Sequence, residues 1–139
     1  MQVRPFLDSD EVAVIDLWEA AGLTRSWNDP RKDIARKRGV RRDWFLVGTQ
    51  GDAVIASIMI GYDGHRGWIN YLAVAPDHRN KGHARTLMRE AERLLAAEGC
   101  PKINLQIRTS NASVIDFYKA IGYAQDDVVS FGRRLIADE

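Results

Sequence analysis

The segment from Trp68 to Arg85 constrains this chain more than any other. Its first part, Trp-Ile-Asn-Tyr-Leu-Ala-Val-Ala, is mostly apolar or aromatic and is followed by Pro76, so it predicts a buried strand. A basic turn with one glycine, Gly82, then leads directly into helical periodicity. A helix N-terminus presents free backbone N–H groups and the positive end of the helix dipole. The segment therefore predicts an anion-binding site where strand, turn and helix meet.

Two common phosphate-binding motifs do not fit this turn. A Walker loop needs Gly-Lys-Ser/Thr at a fixed distance from an earlier glycine, and no such sequence follows here. The dinucleotide fingerprint needs three glycines, and Gly82 stands alone. A nucleotide-phosphate-binding α/β domain and a solvated basic turn that caps a helix stay as alternatives.

Length and composition fit a single domain over residues 1–139. The only cysteine, Cys100, excludes an internal disulfide, which agrees with a reducing compartment. The N-terminus lacks a signal-peptide pattern and no apolar run approaches about 18 residues, so we expect a cytoplasmic protein without a membrane partner. The 20 Lys and Arg residues balance the 19 Asp and Glu residues, which argues against nucleic acid as a partner.

Apolar periodicity and end signals predict the other elements. Asp8 and Glu11 have the spacing of a capping box for a first helix over about 9–21. Asp29-Pro30 predicts the start of a second helix that ends at Gly39. We also predict strands over 2–6, 44–49, 53–62, 68–75, 102–108 and 128–135 and helices over 84–99 and 112–120. This order indicates an α/β fold with an antiparallel meander and one parallel strand pair joined through a long helix.

Two motifs resemble those of a known family. Arg79-x-x-Gly82-x-Ala84 resembles Arg/Gln-x-x-Gly-x-Gly/Ala, the acyl-CoA signature of the GNAT N-acetyltransferases. The segment from Asn111 to Tyr123 is similar to their second signature, Asn-x-x-(Ala/Ser)-x-x-x-(Phe/Leu)-Tyr-x-x-x-Gly-(Phe/Tyr), with its small residue one position early. Both motifs occur in the family's order on the predicted elements. The resemblance implies an α/β fold with a mixed, mostly antiparallel central sheet of six to seven strands, flanked by four helices.

The resemblance also implies transfer of acetyl from acetyl-CoA, the co-substrate, to a primary amine, without a metal. Tyr118 is then the general acid for the leaving sulfur, because a thiolate with a pKa of about 8.5 benefits from a placed O–H donor. Asn111 would hydrogen-bond the pantetheine arm while capping its helix. A backbone N–H of the 68–75 strand would polarise the thioester carbonyl. The implied cofactor-binding residues are Leu72, Ala73, Val74, Arg79, Asn80, Lys81, Gly82, His83, Ala84 and Asn111.

Two alternatives to this interpretation stay open. Tyr118 is also suited to the role of a core aromatic beside Phe117. A non-catalytic CoA-binding or interaction module of the same fold would carry the same motifs. Such a module gains weight because this chain lacks the general base that several family members carry.

The chain departs from the family pattern at the general base. Several members carry a glutamate on a central strand, where this chain has Asn70 and Gln106, and neither amide accepts a proton. Either a water relay reaches a residue such as Asp63, His65 or Tyr71, or the amine arrives neutral. Neutralising a lysine at pH 7 costs about 4.6 kcal/mol, against about 1 kcal/mol for an α-amine. We therefore expect a small amine or α-amino group that carries its own carboxylate, rather than a protein lysine.

The acceptor, a small-molecule or peptide amine, is expected between the first two helices and at the 62–67 turn. The candidate substrate-binding residues are Trp27, Asn28, Asp29, Asp63, His65 and Arg66. Aspartates at 29, 33 and 63 suit a cation, whereas His65 and Arg66 suit a carboxylate, so the two sets favour different substrates. Simple packing of Trp27 beside a helix cap is the alternative for that residue. The sequence leaves a homodimer open.

Three further features give weaker signals. The segment over 31–42 is rich in Lys and Arg, and it fits either a docking face for an acidic group or, preferably, a solvated helix face, since aromatics are not interleaved. His65, His78 and His83 lack metal-ligand spacing, so no metal is predicted. Cys100 fits a small packed residue better than a nucleophile.

Overall fold

The computed structural model describes residues 1–138, within which five strands and four helices form. The strands are β1 (Gln2–Pro5), β2 (Phe45–Gln50), β3 (Ala53–Tyr62), β4 (Gly67–Val74) and β5 (Ile103–Leu105). The helices are α1 (Glu11–Ala20), α2 (Pro30–Arg38), α3 (His83–Ala97) and α4 (Ala112–Ala120). Short 3-10 turns occupy Asp8–Asp10, Arg42–Trp44 and Pro76–His78. None of the helices in residues 1–138 is long and apolar enough to cross a membrane.

The strands form one mixed sheet in the order β1-β2-β3-β4-β5. The first four strands pair antiparallel, which confirms the predicted meander. β5 pairs parallel to β4, and α3 makes the crossover between them, also as predicted. This parallel pairing has three residue pairs, from Gly67 with Ile103 to Ile69 with Leu105.

Two apolar layers cover the two faces of the sheet. The layer on the α3–α4 face contains Leu87, Met88, Ala91 and Leu95 of α3, Tyr118 of α4, and Ile58, Ile60 and Ile69 of the sheet. The layer on the α1–α2 face contains Val14, Leu17, Trp18 and Ile34 of the helices, and Phe45, Val47, Met59 and Ala73 of the sheet. Because successive strand side chains alternate between faces, the register of each strand decides which layer a residue joins.

The predicted ends of α2 and α4 are confirmed. The Asp29 side chain accepts the Arg31 N–H at 2.9 Å to cap α2, and Gly39 follows the last turn. The Asn111 side chain accepts the Val114 N–H at 3.4 Å at the start of α4. Both caps satisfy helix N–H groups that would otherwise lack a partner.

The capping box predicted for Asp8 and Glu11 is wrong. Asp10 makes the equivalent contact instead, because its Oδ2 accepts the Leu7 N–H at 2.8 Å and a 3-10 turn precedes α1. The Asp8 carboxylate accepts from Arg38 Nε at 3.0 Å. The ion pair between α1's entry and α2 therefore competes successfully with the local cap.

The strand predicted over 128–135 is also wrong, and the described sheet has five strands rather than six to seven. β5 is only three residues long, so it offers little edge for another strand. Side chains hold the segment beside β5 instead. Gln106 Nε2 donates to Ser130 Oγ at 2.5 Å, and Lys102 Nζ donates to Asp126 Oδ1 at 2.8 Å. We refer to residues 124–138 as the C-terminal tail.

Candidate active site

The basic turn ends in left-handed backbone at the start of α3. Asn80 has φ 63° and Gly82 has φ 81°, a conformation that asparagine and glycine adopt most readily. Gly82 is the N-cap of α3 and provides no side-chain cap, and the first turn of the helix has no acidic residue. A Cβ placed on Gly82 would meet nothing within 4 Å. The turn thus presents backbone N–H groups to open space, as an anion site requires.

Two histidines beside this turn have unpaired ring nitrogens. His78 Nδ1 and His83 Nε2 are buried and have no hydrogen-bond partner among residues 1–138. Buried polar atoms in native proteins are nearly always paired. These nitrogens therefore fit a site whose polar groups are completed by a ligand.

A cleft of about 360 Å³ continues from the turn between α3 and α4. Its lining residues are Arg85, Met88, Arg89, Glu92, Ala120, Ile121 and Gly122. Arg85 and Arg89 extend the positive charge of the turn along α3. The sequence motif stops at Ala84, so motif matching missed both arginines.

β4 contains a bulge near its centre. Tyr71 and Leu72 of β4 together oppose Ile58 of β3, and Tyr71 has φ 51°. A bulge interrupts the ladder and leaves backbone groups without a strand partner. Its extra residue also turns the Tyr71 side chain to the α1–α2 face, where it joins the layer around Trp18.

Ser57 ties the bulge to α1. Its hydroxyl donates to the Tyr71 carbonyl at 2.8 Å and accepts the Trp18 Nε1–H at 2.9 Å. Ser57 is fully buried, so both bonds lie in an apolar layer where they are hard to replace with water. The Ser57 hydroxyl therefore fixes the bulge to α1.

β4 and β5 separate directly before the bulge. Their pairing stops at Ile69 and Leu105, where β5 ends, whereas β4 continues to Val74. Residues 70–74 and 106–108 border this opening, named here the β4–β5 wedge. Unpaired backbone groups along a strand can bind an extended arm as an added strand. Leu72, Ala73 and Val74 lie along the wedge, on the side from which the chain enters the basic turn.

Tyr118 of α4 lies on the α3–α4 face. It is 7% exposed and makes edge contacts with Phe117 and Tyr123, with centroid distances of 5.1 and 5.6 Å. It belongs to the apolar cluster that also contains Leu72 and Leu105 at the wedge. Burial raises the pKa of its hydroxyl, which therefore stays protonated at neutral pH. The core packing considered as an alternative is present, and it is compatible with a donor role.

Tyr71 and Asp33 form a hydrogen-bonded pair on the opposite face. Tyr71 Oη donates to Asp33 Oδ2 at 2.6 Å, and its ring stacks on Trp18 with centroids 3.8 Å apart. Arg36 donates to the other oxygen of Asp33 at 3.0 Å. Burial and the adjacent carboxylate raise the pKa of Tyr71.

A second cleft, of about 690 Å³, opens beside α2 and is named here the tail cleft. Its lining residues are Trp27, Arg36, Gln106, Gly132, Arg133, Arg134, Leu135 and Ile136. The Arg108 guanidinium lies 5.4 Å from the centroid of the Trp27 ring. Arg134 donates to Asn28 Oδ1. Within residues 1–138, neither Arg108 nor Arg133 forms an ion pair with a carboxylate.

The Asp138 side chain attaches the tail to α2. Its carboxylate accepts from Arg36 at 2.5 Å and from the Asp29 N–H at 3.0 Å. Asp29 itself is occupied as the cap of α2. Trp27, Asn28 and Asp29 are thus brought together with the tail, but the carboxylate of Asp29 already has a structural partner.

The other predicted acceptor residues lie in the turn between β3 and β4. Asp63 Oδ1 accepts the His65 and Arg66 N–H groups at 2.8 and 2.7 Å, and Oδ2 accepts the Trp68 Nε1–H at 3.2 Å. This turn precedes the paired part of β4, whereas the tail cleft includes Gln106, beyond that paired part. The structure therefore does not bring Asp63, His65 and Arg66 together with the Trp27 group.

The basic segment over 31–42 forms ion pairs inside the protein rather than a free docking face. The pairs join Arg36 to Asp33 and Asp138, Arg38 to Asp8 and Glu11, Arg41 to Asp43 and Glu98, and Arg42 to Asp8. Lys37 Nζ donates to the Ile60 carbonyl at 2.5 Å, and burial lowers its pKa. Cys100 is a packed residue whose thiol donates to the Lys102 carbonyl at 3.3 Å.

The mixed sheet and the strand, basic turn and helix on which the two motifs lie match the architecture that the resemblance implies. Residues 12–123 match the family model of the Acetyltransferase (GNAT) family. The chain therefore belongs to the GNAT family and is an N-acetyltransferase. The predicted family and enzyme class are confirmed.

Similar proteins agree with this assignment along the whole chain. "Acetyltransferase SG1711" of Sodalis glossinidius (strain morsitans) is 48% identical over 140 residues, which cover 100% of this chain and 99% of the relative. A putative acetyltransferase from Agrobacterium tumefaciens str. C58 has a similar fold, with a TM-score of 0.77 at 16% identity over 96% of this chain and 100% of that chain. The PaiA N-acetyltransferase of Thermoplasma acidophilum, solved in complex with coenzyme A, has a TM-score of 0.77 at 18% identity over 92% of each chain. The predicted fold class is confirmed apart from the number of strands.

Proposed function

We propose that this protein transfers an acetyl group from acetyl-CoA to a primary amine by direct attack of the amine. The observation that carries the proposal is the bulge in β4, which lies in a wedge that leads to the basic turn. Acetyl-CoA supplies a thioester with an electrophilic carbonyl carbon and a sulfur that leaves as a thiolate. The chain supplies an anion site, backbone hydrogen-bonding groups and placed hydroxyls.

The cofactor would bind along the turn and the wedge. The turn groups are Arg79, Asn80, Lys81, Gly82, His83 and Ala84, with Arg85 and Arg89 as additional cations. The first N–H groups of α3 suit a diphosphate because they carry no other cap. Leu72, Ala73 and Val74 would pair with the pantetheine arm. The carbonyl oxygen of the Asn111 side chain caps α4, which leaves its NH₂ group to donate to the same arm.

Two groups would stabilise charge as the amine attacks. A backbone N–H in the bulged part of β4 would donate a hydrogen bond to the oxyanion. Fixed hydrogen-bond donors stabilise a developing negative charge most strongly where water is excluded. Tyr118 would donate its hydroxyl proton to the leaving sulfur. Its burial favours the protonated form and strengthens the hydrogen bond to a thiolate.

The acceptor that we propose is a small amine or α-amino group with its own carboxylate, not a protein lysine. Arg133 and the half-exposed Trp27 ring line the tail cleft, and the Arg108 guanidinium lies beside that ring. Within residues 1–138, neither arginine forms an ion pair with a carboxylate. A guanidinium matches the geometry of a carboxylate. The competing idea of a cation site loses support because Asp29 and Asp63 hold their own turns. The His65 and Arg66 pair would be a second carboxylate site, at the far turn.

We also propose that the protein is cytoplasmic and forms a homodimer. The single cysteine and the sequence pattern support the compartment. The dimer is supported by exposed apolar side chains clustered in the tail, at Val128, Val129, Phe131, Leu135 and Ile136.

Thiol release with a panel of amines tests the activity. Free amino acids, polyamines and a lysine peptide are compared as acceptors from pH 6 to 10. Calorimetry separately compares the binding of acetyl-CoA, ATP and NAD. We expect acetyl-CoA to bind in preference to the nucleotides and α-amines to react faster than the lysine peptide at pH 7. Tyr118→Phe should lower kcat by about 10²-fold or more while acetyl-CoA binding is kept.

Gly82→Glu supplies the binding control. It should abolish acetyl-CoA binding because it adds negative charge in front of the helix N-terminus. Gly22→Glu is its matched variant, since Gly22 also has positive φ and open space around its Cβ position but lies outside the site. Tight binding by Gly82→Glu would contradict the turn assignment. Binding without turnover of any amine would favour the non-catalytic module, and a fully active Tyr118→Phe would remove that residue from the mechanism.

A further inference from the structure

The bulge in β4 places a phenol and a carboxylate on the side of the sheet that lacks any other assigned catalytic group. Tyr71 is the residue that the bulge turns to the α1–α2 face, and its hydroxyl donates to Asp33 of α2 at 2.6 Å. Its ring is fixed against Trp18 at 3.8 Å. Two elements that are distant in sequence thus hold one short hydrogen bond at a defined place beside the wedge.

The position of this pair complements that of Tyr118. Tyr118 lies on the α3–α4 face and Tyr71 lies on the α1–α2 face, with the wedge between them. In an acyl transfer, the amine and the leaving sulfur occupy different sides of the carbonyl carbon. A proton donor for the sulfur on one face therefore calls for a proton acceptor for the amine on the other.

The pair also borders the cleft proposed for the acceptor. Arg36 contacts Asp33 at 3.0 Å and lines the tail cleft, so the carboxylate lies one side chain from that space. The charged groups around the pair are Arg36 of α2 and Asp138 of the tail, and these two are themselves paired at 2.5 Å. Asp33 keeps about a quarter of its side chain exposed, so it can return a proton to water.

We propose that Tyr71 and Asp33 form a proton relay that takes the proton released by the attacking amine, in place of the missing glutamate. The relay rests on the proposed acetyl transfer. As the amine nitrogen bonds to the acetyl carbon, one N–H proton passes to Tyr71 Oη while the Tyr71 hydroxyl proton passes to Asp33. The carbon–sulfur bond breaks, its electron pair goes to sulfur, and sulfur takes the proton of Tyr118. Asp33 then loses its proton to water and Tyr118 regains one, so both groups are restored.

The relay explains how the attacking amine can lose its proton in this protein, which has Asn70 and Gln106 where a glutamate base is expected. The Tyr71 hydroxyl is protonated at neutral pH, so it acts by passing a proton rather than as a base by itself. A carboxylate behind it provides the negative charge that a forming ammonium group needs.

The test compares Tyr71→Phe and Asp33→Asn with Arg38→Gln. Tyr71→Phe removes the hydroxyl and keeps the ring that stacks on Trp18. Asp33→Asn removes the carboxylate charge and keeps the size of the side chain. Arg38→Gln removes a different tie of α2, its ion pair with Asp8, and leaves the relay intact. We expect the two relay variants to lose about 10²-fold or more in kcat with an α-amine and Arg38→Gln to stay near the wild type. Acetyl-CoA affinity by calorimetry should be unchanged in all three.

A second nucleophile separates a relay from a merely structural tie. Hydroxylamine is weakly basic and needs little help to lose its proton, so the relay variants should lose much less with hydroxylamine than with an α-amine. The double variant should be no slower than the slower single variant, because the two residues act as one unit. Urea denaturation checks each fold, and Tyr71→Phe decides alone if Asp33→Asn does not fold.

The outcomes distinguish the relay from the activity on which it rests. If Tyr71→Phe and Asp33→Asn keep the wild-type kcat, or lose equally with both nucleophiles, the relay is wrong and the proposed transfer survives. If the wild-type chain releases no thiol with any amine, the proposed transfer fails and the relay fails with it.

Discussion

Ser57 is a polar residue in a fully buried position, where its hydroxyl needs partners within the protein. It is fully buried, and its one hydroxyl serves both the Trp18 N–H and the Tyr71 carbonyl. A buried polar group that loses its partner keeps the full cost of its desolvation. Ser57 therefore links the packing of α1 to the shape of the strand that borders the wedge.

We predict that Ser57→Ala lowers the free energy of unfolding by about 1–3 kcal/mol, because it leaves a buried donor and acceptor unpaired. Urea denaturation measures this change. Ser9→Ala is the control, since Ser9 is exposed at the entry to α1. Equal stability of the two variants would mean that the bulge carbonyl and the indole are satisfied in another way.

On the scale of elements, the C-terminal tail depends on charge for its position. Arg36 and the Asp29 N–H hold the Asp138 carboxylate and lower its pKa from 3.8 to about 2. Because the pKa is lower in the folded state, the anchoring is fully present above about pH 4 and is lost as the pH falls through about 2. The tail forms one wall of the tail cleft, so its attachment shapes the cleft that we propose for the acceptor.

We predict that amide exchange over 124–138 accelerates as the pH falls from 5 to 2 by more than the intrinsic pH dependence of exchange. Asp138→Asn should show the accelerated exchange already at pH 5. Asp127→Asn is the control, because Asp127 is exposed in the same tail and has no described ion pair. Identical protection in Asp138→Asn and the wild type would show that the tail is held by other contacts.

Elements that begin and end at local signals were predictable from the sequence, whereas features that depend on strand pairing were not. Glycine stops and side-chain caps predicted α2 and α4 closely, because these signals act within a few residues. The basic turn was visible for the same reason. The role of Tyr71 was not, because a bulge of one residue reverses the face of a strand side chain and leaves the apolar pattern almost unchanged.

The tail does not form the strand that its sequence predicts, for a related reason. Val128, Val129 and Phe131 have strand propensity, but a strand needs a partner edge of sufficient length, which is a property of β5 rather than of the tail. The two guanidinium groups in and beside the tail cleft were equally unpredictable. Arg108 and Arg133 are 25 positions apart in the chain and only the fold brings both to the surroundings of Trp27 and α2.

For the molecule as a whole, the exposed tail residues predict self-association. Phe131 is 94% exposed and Leu135 is 88% exposed, in a segment that belongs to no helix or strand. Apolar groups clustered in this way mark interaction surfaces. We predict a dimer in sedimentation velocity and its conversion to a monomer by Phe131→Asp combined with Leu135→Asp.

Val12→Asp is the control for that experiment. Val12 is 71% exposed on α1, outside the tail, so its substitution should leave the dimer intact. A wild-type chain that sediments as a monomer at all accessible concentrations would remove the dimer from consideration.

The short seam between β4 and β5 has a consequence for how the molecule is assembled. β2, β3 and β4 are joined by short turns and by long ladders, whereas β5 must return across the whole of α3 to make three residue pairs. Closing a long loop costs chain entropy, and here only a few hydrogen bonds compensate for that cost. We therefore expect such contacts to form late in folding and to open first in the native state. A cofactor bound in the wedge, as we propose, would add hydrogen bonds to the chain at this short seam. At 100 times its dissociation constant, a ligand that binds only the native state adds about 2.7 kcal/mol to stability, so saturation with the acetyl donor would also decide what fraction of the molecules is folded.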